Sequence, residues 1–160
     1  MKQHLTTLLL ATLAISAQAQ QFPTKPIRFI IGFTAGSEVD VIGRMIAHEM
    51  GEKWDQRVVV DNRPGAGSTV AGAIVASANA DGYTLFFNSV SHAATPVLYP
   101  KAPFDTLRDF AGVTQATSLP NVLIIAPSAG VRSMKDLIAL VKQKPGMNYG
   151  HAGVGSGTHI

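Results

Sequence analysis

The chain has 160 residues, 46% of them hydrophobic and 14% charged, with a formal net charge of +3 and no cysteine. Without thiols there is no disulfide framework, no thiolate metal site and no cysteine nucleophile, so the fold rests on its core. The basic residues are scattered with no basic run, which excludes the electrostatic footprint of a nucleic-acid binder.

At the N-terminus, Lys2 precedes an apolar stretch over 5–15 (LTTLLLATLAI), then Ser16 and the small-x-small triplet Ala17, Gln18, Ala19. This is the three-part layout of a cleavable secretory signal over residues 1–19. The stretch is too short for a hydrocarbon core that needs about 20 residues, and no cysteine follows it for a lipid anchor. Cleavage after Ala19 takes only Lys2 from the charged set, so the formal charge falls from +3 to +2. The remainder is long enough for one compact domain.

Residues 27–33 (IRFIIGF) form a nearly continuous apolar run, the pattern of a strand buried on both faces of a parallel sheet. Val39, Ile42, Ile46 and Met50 then recur at helical spacing, with Arg44, His48 and Glu52 opposite. A second strand is expected at 58–60, a small-residue helix at 69–78 and a third strand at 83–88 (YTLFFN). Such β-α-β-α-β alternation implies a parallel sheet with right-handed crossovers. Residues 96–110 hold three prolines and read as a structured connection with a short helix near Leu107. Strands are expected at 111–115 and 121–126 (NVLIIA). Ser133 caps a helix with Met134, Leu137, Ile138 and Val141 on one face, Asp136 at the capping-box position and Pro145 as its stop. A strand at 148–152, a glycine-rich turn over 153–157 and a helix start at Thr158 follow. The pattern predicts a chain that stops before its last helix is written.

Two strand-to-helix turns share one design. One covers 34–40 after the first strand and the other 153–158 after the last. In open parallel sheets, ligands bind beyond the carboxyl ends of strands, where helix N-termini offer unpaired N–H groups. Glycine permits close backbone approach and Ser or Thr adds hydroxyl donors, a combination suited to a carboxylate; an ordinary capped β-α turn has the same composition. Asp40 is either an acceptor for a ligand hydroxyl or amine, or a helix cap. Arg63 reads as an anchor for the turn made by Pro64 and Gly65 before it reads as a carboxylate fork. Asp81 and Gly82 read as a turn, and Trp54 as apolar cover for the end of the first helix. His48, His92, His151 and His159 show no short metal-ligand spacing, so no metal is expected. No G-x-S-x-G elbow occurs, no Walker lysine follows a glycine loop, and Gly153-Val154-Gly155 lies at the wrong end for a dinucleotide fingerprint. No catalytic residue and no cofactor is therefore expected, and an exported hydrolase-like enzyme is the weaker alternative, beside a decayed, non-binding fragment.

Several strings carry a resemblance: Pro26-Ile27-Arg28, Phe33 before a small-residue loop ending in Asp40, Val60-Asp61-Asn62-Arg63-Pro64-Gly65-Ala66-Gly67, Asp81-Gly82-Tyr83-Thr84-Leu85, and Gly155-Ser156-Gly157-Thr158-His159. In this order they resemble the periplasmic substrate-binding proteins of tripartite tricarboxylate transporters, the Bug family. The resemblance implies a two-lobed α/β, periplasmic-binding-protein-like fold with parallel sheets, a monomer that closes on a small carboxylate in the periplasm and delivers it to a membrane permease. Residues 20–119 would form the first lobe and 120–160 the start of an incomplete second. It also implies ligand contacts from Phe33, Thr34, Ala35, Gly36, Ser37 and Asp40, from Ser89, Ser91 and His92, and from Gly155, Ser156, Thr158 and His159. The family usually writes Pro-Gly-Gly in the first loop. Here Thr34-Ala35-Gly36-Ser37-Glu38 stands instead, which restricts the turn and sets Glu38 either inward, against an anion, or outward in the first helical turn, where the helix dipole favours an acid.

Overall fold

The computed structural model of the protein describes residues 21–160; the expected signal segment over 1–19 lies outside them. Three strands, β1 (Ile27–Ile31), β2 (Val58–Asn62) and β3 (Thr84–Phe87), form one sheet in the order β2-β1-β3 with both pairings parallel. The most apolar run takes the centre because a strand bonded on both edges loses solvent on every side. Ile27, Ile30 and Ile31 are no more than 1% exposed. Arg28 points out of this core and pairs with Asp61 of the neighbouring strand at 2.6 Å, while Arg63 reaches the same carboxylate at 2.8 Å. Arg63 thus anchors its own turn.

Helix α1 (Glu38–Trp54) starts at Ser37, whose Oγ accepts from the Asp40 N–H, and ends at Asp55 in the left-handed region. Its buried face is Asp40, Gly43 and Ala47, narrower and smaller than the expected Val39, Ile42, Ile46 and Met50, which lie half-buried on its flank. Small residues win the central stripe because the helix lies close on the sheet: a Cβ added to Gly43 would stand 2.6 Å from Ile31 Cδ1. Trp54 meets Phe22 edge-on at 6.3 Å, covering the end of the helix as expected.

Residues 65–68 all have positive φ, Ala66 and Ser68 included. This run leads through a 3-10 turn, Ala66–Ser68, into helix α2 (Thr69–Ala76). After β3 comes helix α3 (Ser91–Leu98), which the sequence reading passed over. Pro96 sits inside it, and its first turn is held by Ser89, whose carbonyl accepts from His92 N–H and whose Oγ accepts from Ser91 N–H. The short helix expected near Leu107 is instead a single turn closed by Asp109 N–H to the Asp105 carbonyl. Helix α4 (Met134–Gln143) starts at Ser133 as expected, with Ser133 Oγ accepting from Asp136 N–H at 3.2 Å. Asp136 answers one residue earlier than a capping box would, accepting from Arg132 N–H.

The strands expected at 111–115, 121–126 and 148–152 are not formed. A strand exists only where a neighbour takes up its N–H and C=O groups, and no described segment pairs with these three in a ladder. Val122, Leu123 and Ile124 are 76%, 61% and 86% exposed. Among the described residues the parallel sheet over 27–87 is assembled, and residues 111–160 contribute α4 and extended backbone. No described helix is long and apolar enough to cross a membrane.

Candidate functional site

Because β1 and β3 are parallel neighbours, the loops after them emerge side by side at the carboxyl edge of the sheet. The glycine-rich 153–157 turn is brought to the same edge by three contacts. Gly67 and Gly155 pack so closely that a Cβ on Gly155 would stand 3.2 Å from Gly67 Cα. Tyr99 Oη donates to the Val154 carbonyl at 3.4 Å, and Asn121 Nδ2 to the Gly157 carbonyl at 3.0 Å. The left-handed run at 65–68 is therefore a platform for that turn, beyond the simple reversal its Pro-Gly pair suggests.

These loops surround a cavity of about 670 Å³. Of the expected ligand contacts, Phe33, Ser37, Ser89, Ser156 and Thr158 line it. Thr34, Ala35, Gly36, Asp40, Ser91, His92, Gly155 and His159 do not; they stand behind or beside the lining. Sequence reasoning missed Val39, Asn88, Thr114, Ser118 and Asn121, which do line it, and Glu38, weighed there as facing inward or outward, is also among the lining residues. Val39 could have been found, since it lies within the candidate turn over 34–40. The segment from Thr114 to Asn121 could not, because an expectation of strands around it hid its role as a wall.

Asp40 has a different place from a ligand acceptor. Its carboxylate is buried and accepts from Gly36 N–H at 2.8 Å, Arg44 Nε at 3.0 Å and Asn62 Nδ2 at 2.8 Å. Asn62 also donates to the Phe33 carbonyl, so one carboxylate and one amide fix the loop at both ends. The Arg44 hydrogen bond first, against the opposing push of burial, and then the Gly36 N–H and Asn62 hold the Asp40 pKa down to about 2. His92 is packed among Phe86, Phe104 and Phe110 at ring distances of 5.2, 5.8 and 4.8 Å, and burial pushes its pKa below the ordinary value, which favours the neutral ring. Ser91 is buried and shares a hydrogen bond with Ser89 Oγ at 2.8 Å. Ser156 and Thr158 pair at 3.1 Å, and His159 Nδ1 accepts from Gly155 N–H.

What the lining offers is neutral donors: the hydroxyls of Ser37, Ser89, Thr114, Thr117, Ser118, Ser156 and Thr158, and the amides of Asn88, Gln115 and Asn121. Among the described residues, the N–H groups of Glu38 and Val39 have no hydrogen-bond partner, as befits the first turn of a helix. No Lys, Arg or His lines the cavity. A second, shallower groove of about 520 Å³ runs along Arg44, His48, Glu52, Asp55 and Arg57. It reaches the amino end of β2, opposite to where open parallel sheets place their ligands. No described group of three or more His, Asp or Glu residues is arranged to hold a metal.

A parallel α/β sheet with polar strand-to-helix loops around a cleft is the architecture of a lobe of the periplasmic-binding-protein fold. The match to known proteins narrows that class. The chain belongs to the tripartite tricarboxylate transporter receptor family, whose model matches residues 42–160. It is 34% identical over 153 residues to the protein BugT of Bordetella pertussis, covering 94% of this chain and 47% of that protein. Rpa4515 of R. palustris, solved with adipate, superposes with a TM-score of 0.64 at 31% identity over 84% of this chain and 46% of its own. MatC from Rhodopseudomonas palustris, solved with bound malate, superposes with a TM-score of 0.53 at 33% identity over 56% of this chain and 31% of its own. The chain spans about half the length of the curated relatives it matches.

Proposed function

We propose that this chain, exported by the signal over 1–19, belongs to a periplasmic receptor that captures a small carboxylate and presents it to a membrane permease, as a monomer and without chemical conversion of the ligand. The observation that carries the proposal is the cavity at the carboxyl edge of β1 and β3, lined by hydroxyls, amides and free helix N–H groups. Carboxylate oxygens accept hydrogen bonds from such donors, and a site without an arginine fork can release its ligand to the next protein. Ser89, Ser156 and Thr158 supply donors from the loop after β3 and the glycine-rich turn, and Ser37 with the start of α1 supplies them from the loop after β1. Gly36 and Asp40 shape the loop behind them. The carboxylates bound to the two R. palustris relatives support this class of ligand.

Thermal unfolding of the protein carrying this sequence at its natural length tests the reading, since a ligand of the native state raises the melting temperature. Malate, adipate and related acids at about 100 times Kd should stabilise it by about 2.7 kcal/mol. A flat response to a full panel of mono-, di- and tricarboxylates overturns the proposal.

A further inference from the structure

We propose that His151 and His159, as neutral rings, position the glycine-rich turn for the ligand, so that carboxylate capture weakens as the pH falls through the range in which imidazole gains its proton. This rests on the carboxylate reading above and deepens it.

The turn presents Ser156, Gly157 and Thr158 to the cavity, and its entering limb is strung between two imidazoles. His151 Nδ1 accepts from Gly153 N–H at 3.0 Å, and His159 Nδ1 accepts from Gly155 N–H at 3.3 Å. Gly153 and Gly155 have positive φ, 116° and 82°; with no side chain to restrict it, such backbone depends on its hydrogen bonds to keep one shape. Each ring accepts through Nδ1 and therefore carries its proton on Nε2. A second proton occupies Nδ1, turns the acceptor into a donor and sets it against the glycine N–H. The two rings also stand 4.7 Å apart, centroid to centroid, so two imidazoliums meet as like charges. The groups around them do not offset this. Tyr149, whose ring is 5.3 Å from that of His151, donates its hydroxyl to the His159 carbonyl, and Tyr99, from the segment after α3, donates to the Val154 carbonyl. Among the described residues no Asp or Glu pairs with either histidine. The ionisable residue of the cavity lining is Glu38 of α1, and His92 of α3 is packed among phenylalanines, where burial favours its neutral ring. Neither His151 nor His159 lines the cavity. A positive ring there attracts an anion only through a screened, contact-free interaction, while two hydrogen bonds that shape the binding turn are lost.

Calorimetric titration of the natural-length protein with adipate, malate, succinate and citrate at about pH 7.5 and about pH 5.5 tests the assignment. Asn places Oδ1 where His places Nδ1 and gains no proton, so a variant carrying both His151→Asn and His159→Asn keeps the two acceptors at either pH. On acidification the affinity of wild type should fall by about tenfold more than that of the variant; the ligand's own protonation is common to both proteins and cancels. Imidazole nitrogen shifts of ligand-free wild type, a readout that needs no variant to fold, should show both rings protonated on Nε2 at about pH 7.5, with the Gly153 and Gly155 amides moving as the rings charge. An equal fall in both proteins, tighter binding by wild type in acid, or either ring protonated on Nδ1 at about pH 7.5 overturns this inference and leaves the carboxylate reading standing. If none of the four acids binds and the broader panel also fails, the carboxylate reading falls and the inference falls with it.

Discussion

Asp40 accepts three hydrogen bonds that tie the start of α1, the loop before it and the end of β2 into one rigid corner. Folding lowers its pKa from 3.8 to about 2, so the native state holds the carboxylate charged more firmly than the unfolded chain does. That contribution is fully present above the ordinary value and is lost as the pH falls from 3.8 toward about 2. Asp40→Asn should cost on the order of 2 kcal/mol at neutral pH and flatten this acid limb. Urea midpoints of wild type and variant should differ widely at about pH 7, and the gap should shrink to roughly a third at about pH 2.5; a gap of undiminished size in acid contradicts the assignment. The sequence made Asp40 legible as an important residue but left cap and ligand acceptor unresolved. Its actual partners, Asn62 and Arg44, are respectively 22 and 4 positions away, and only the parallel pairing of β1 and β2 brings the first of them close.

Elements whose determinants are local were readable in advance. β1 announces itself by a continuous apolar run, α1 by apolar residues at helical spacing, and α4 by a capping serine three residues before an acid. The strands expected at 111–115, 121–126 and 148–152 share β1's composition but not its circumstances, since pairing depends on a distant neighbour. Helix α3 was hidden for the opposite reason: Pro96 and a run of small polar residues mask a helix that Ser89 starts and packing completes. Packing also decides the sign of a substitution in α1. Gly43→Ala gains about 1 kcal/mol of helix propensity, but its Cβ would crowd Ile31 and Phe87, which are 2.6 and 3.0 Å away. Overpacking costs typically 1–3 kcal/mol, so a net loss of about 1 kcal/mol is expected. A rise in the denaturation midpoint would show that α1 does not lie against the sheet as closely as described.

Across the molecule, three segments distant in sequence converge on one edge of the sheet: the loop after β1, the loop after β3 and the glycine-rich turn held by Gly67, Tyr99 and Asn121. Convergence of the first two follows from the parallel pairing of β1 and β3; the β-α-β alternation implied a parallel sheet but not the order of its strands. Placement of the third depends on close backbone approach between two glycines, which no periodicity in the chain encodes. The central claim is that a carboxylate occupies this edge and not the groove along α1 and β2. Amide chemical shifts during a carboxylate titration read the location directly. Saturable shifts at Val39, Ser89, Val90, Ser156 and Gly157, with Asp55, Gln56 and Arg57 unmoved, are the predicted result. Shifts confined to Asp55, Gln56 and Arg57, or none at any concentration of acid, would contradict it.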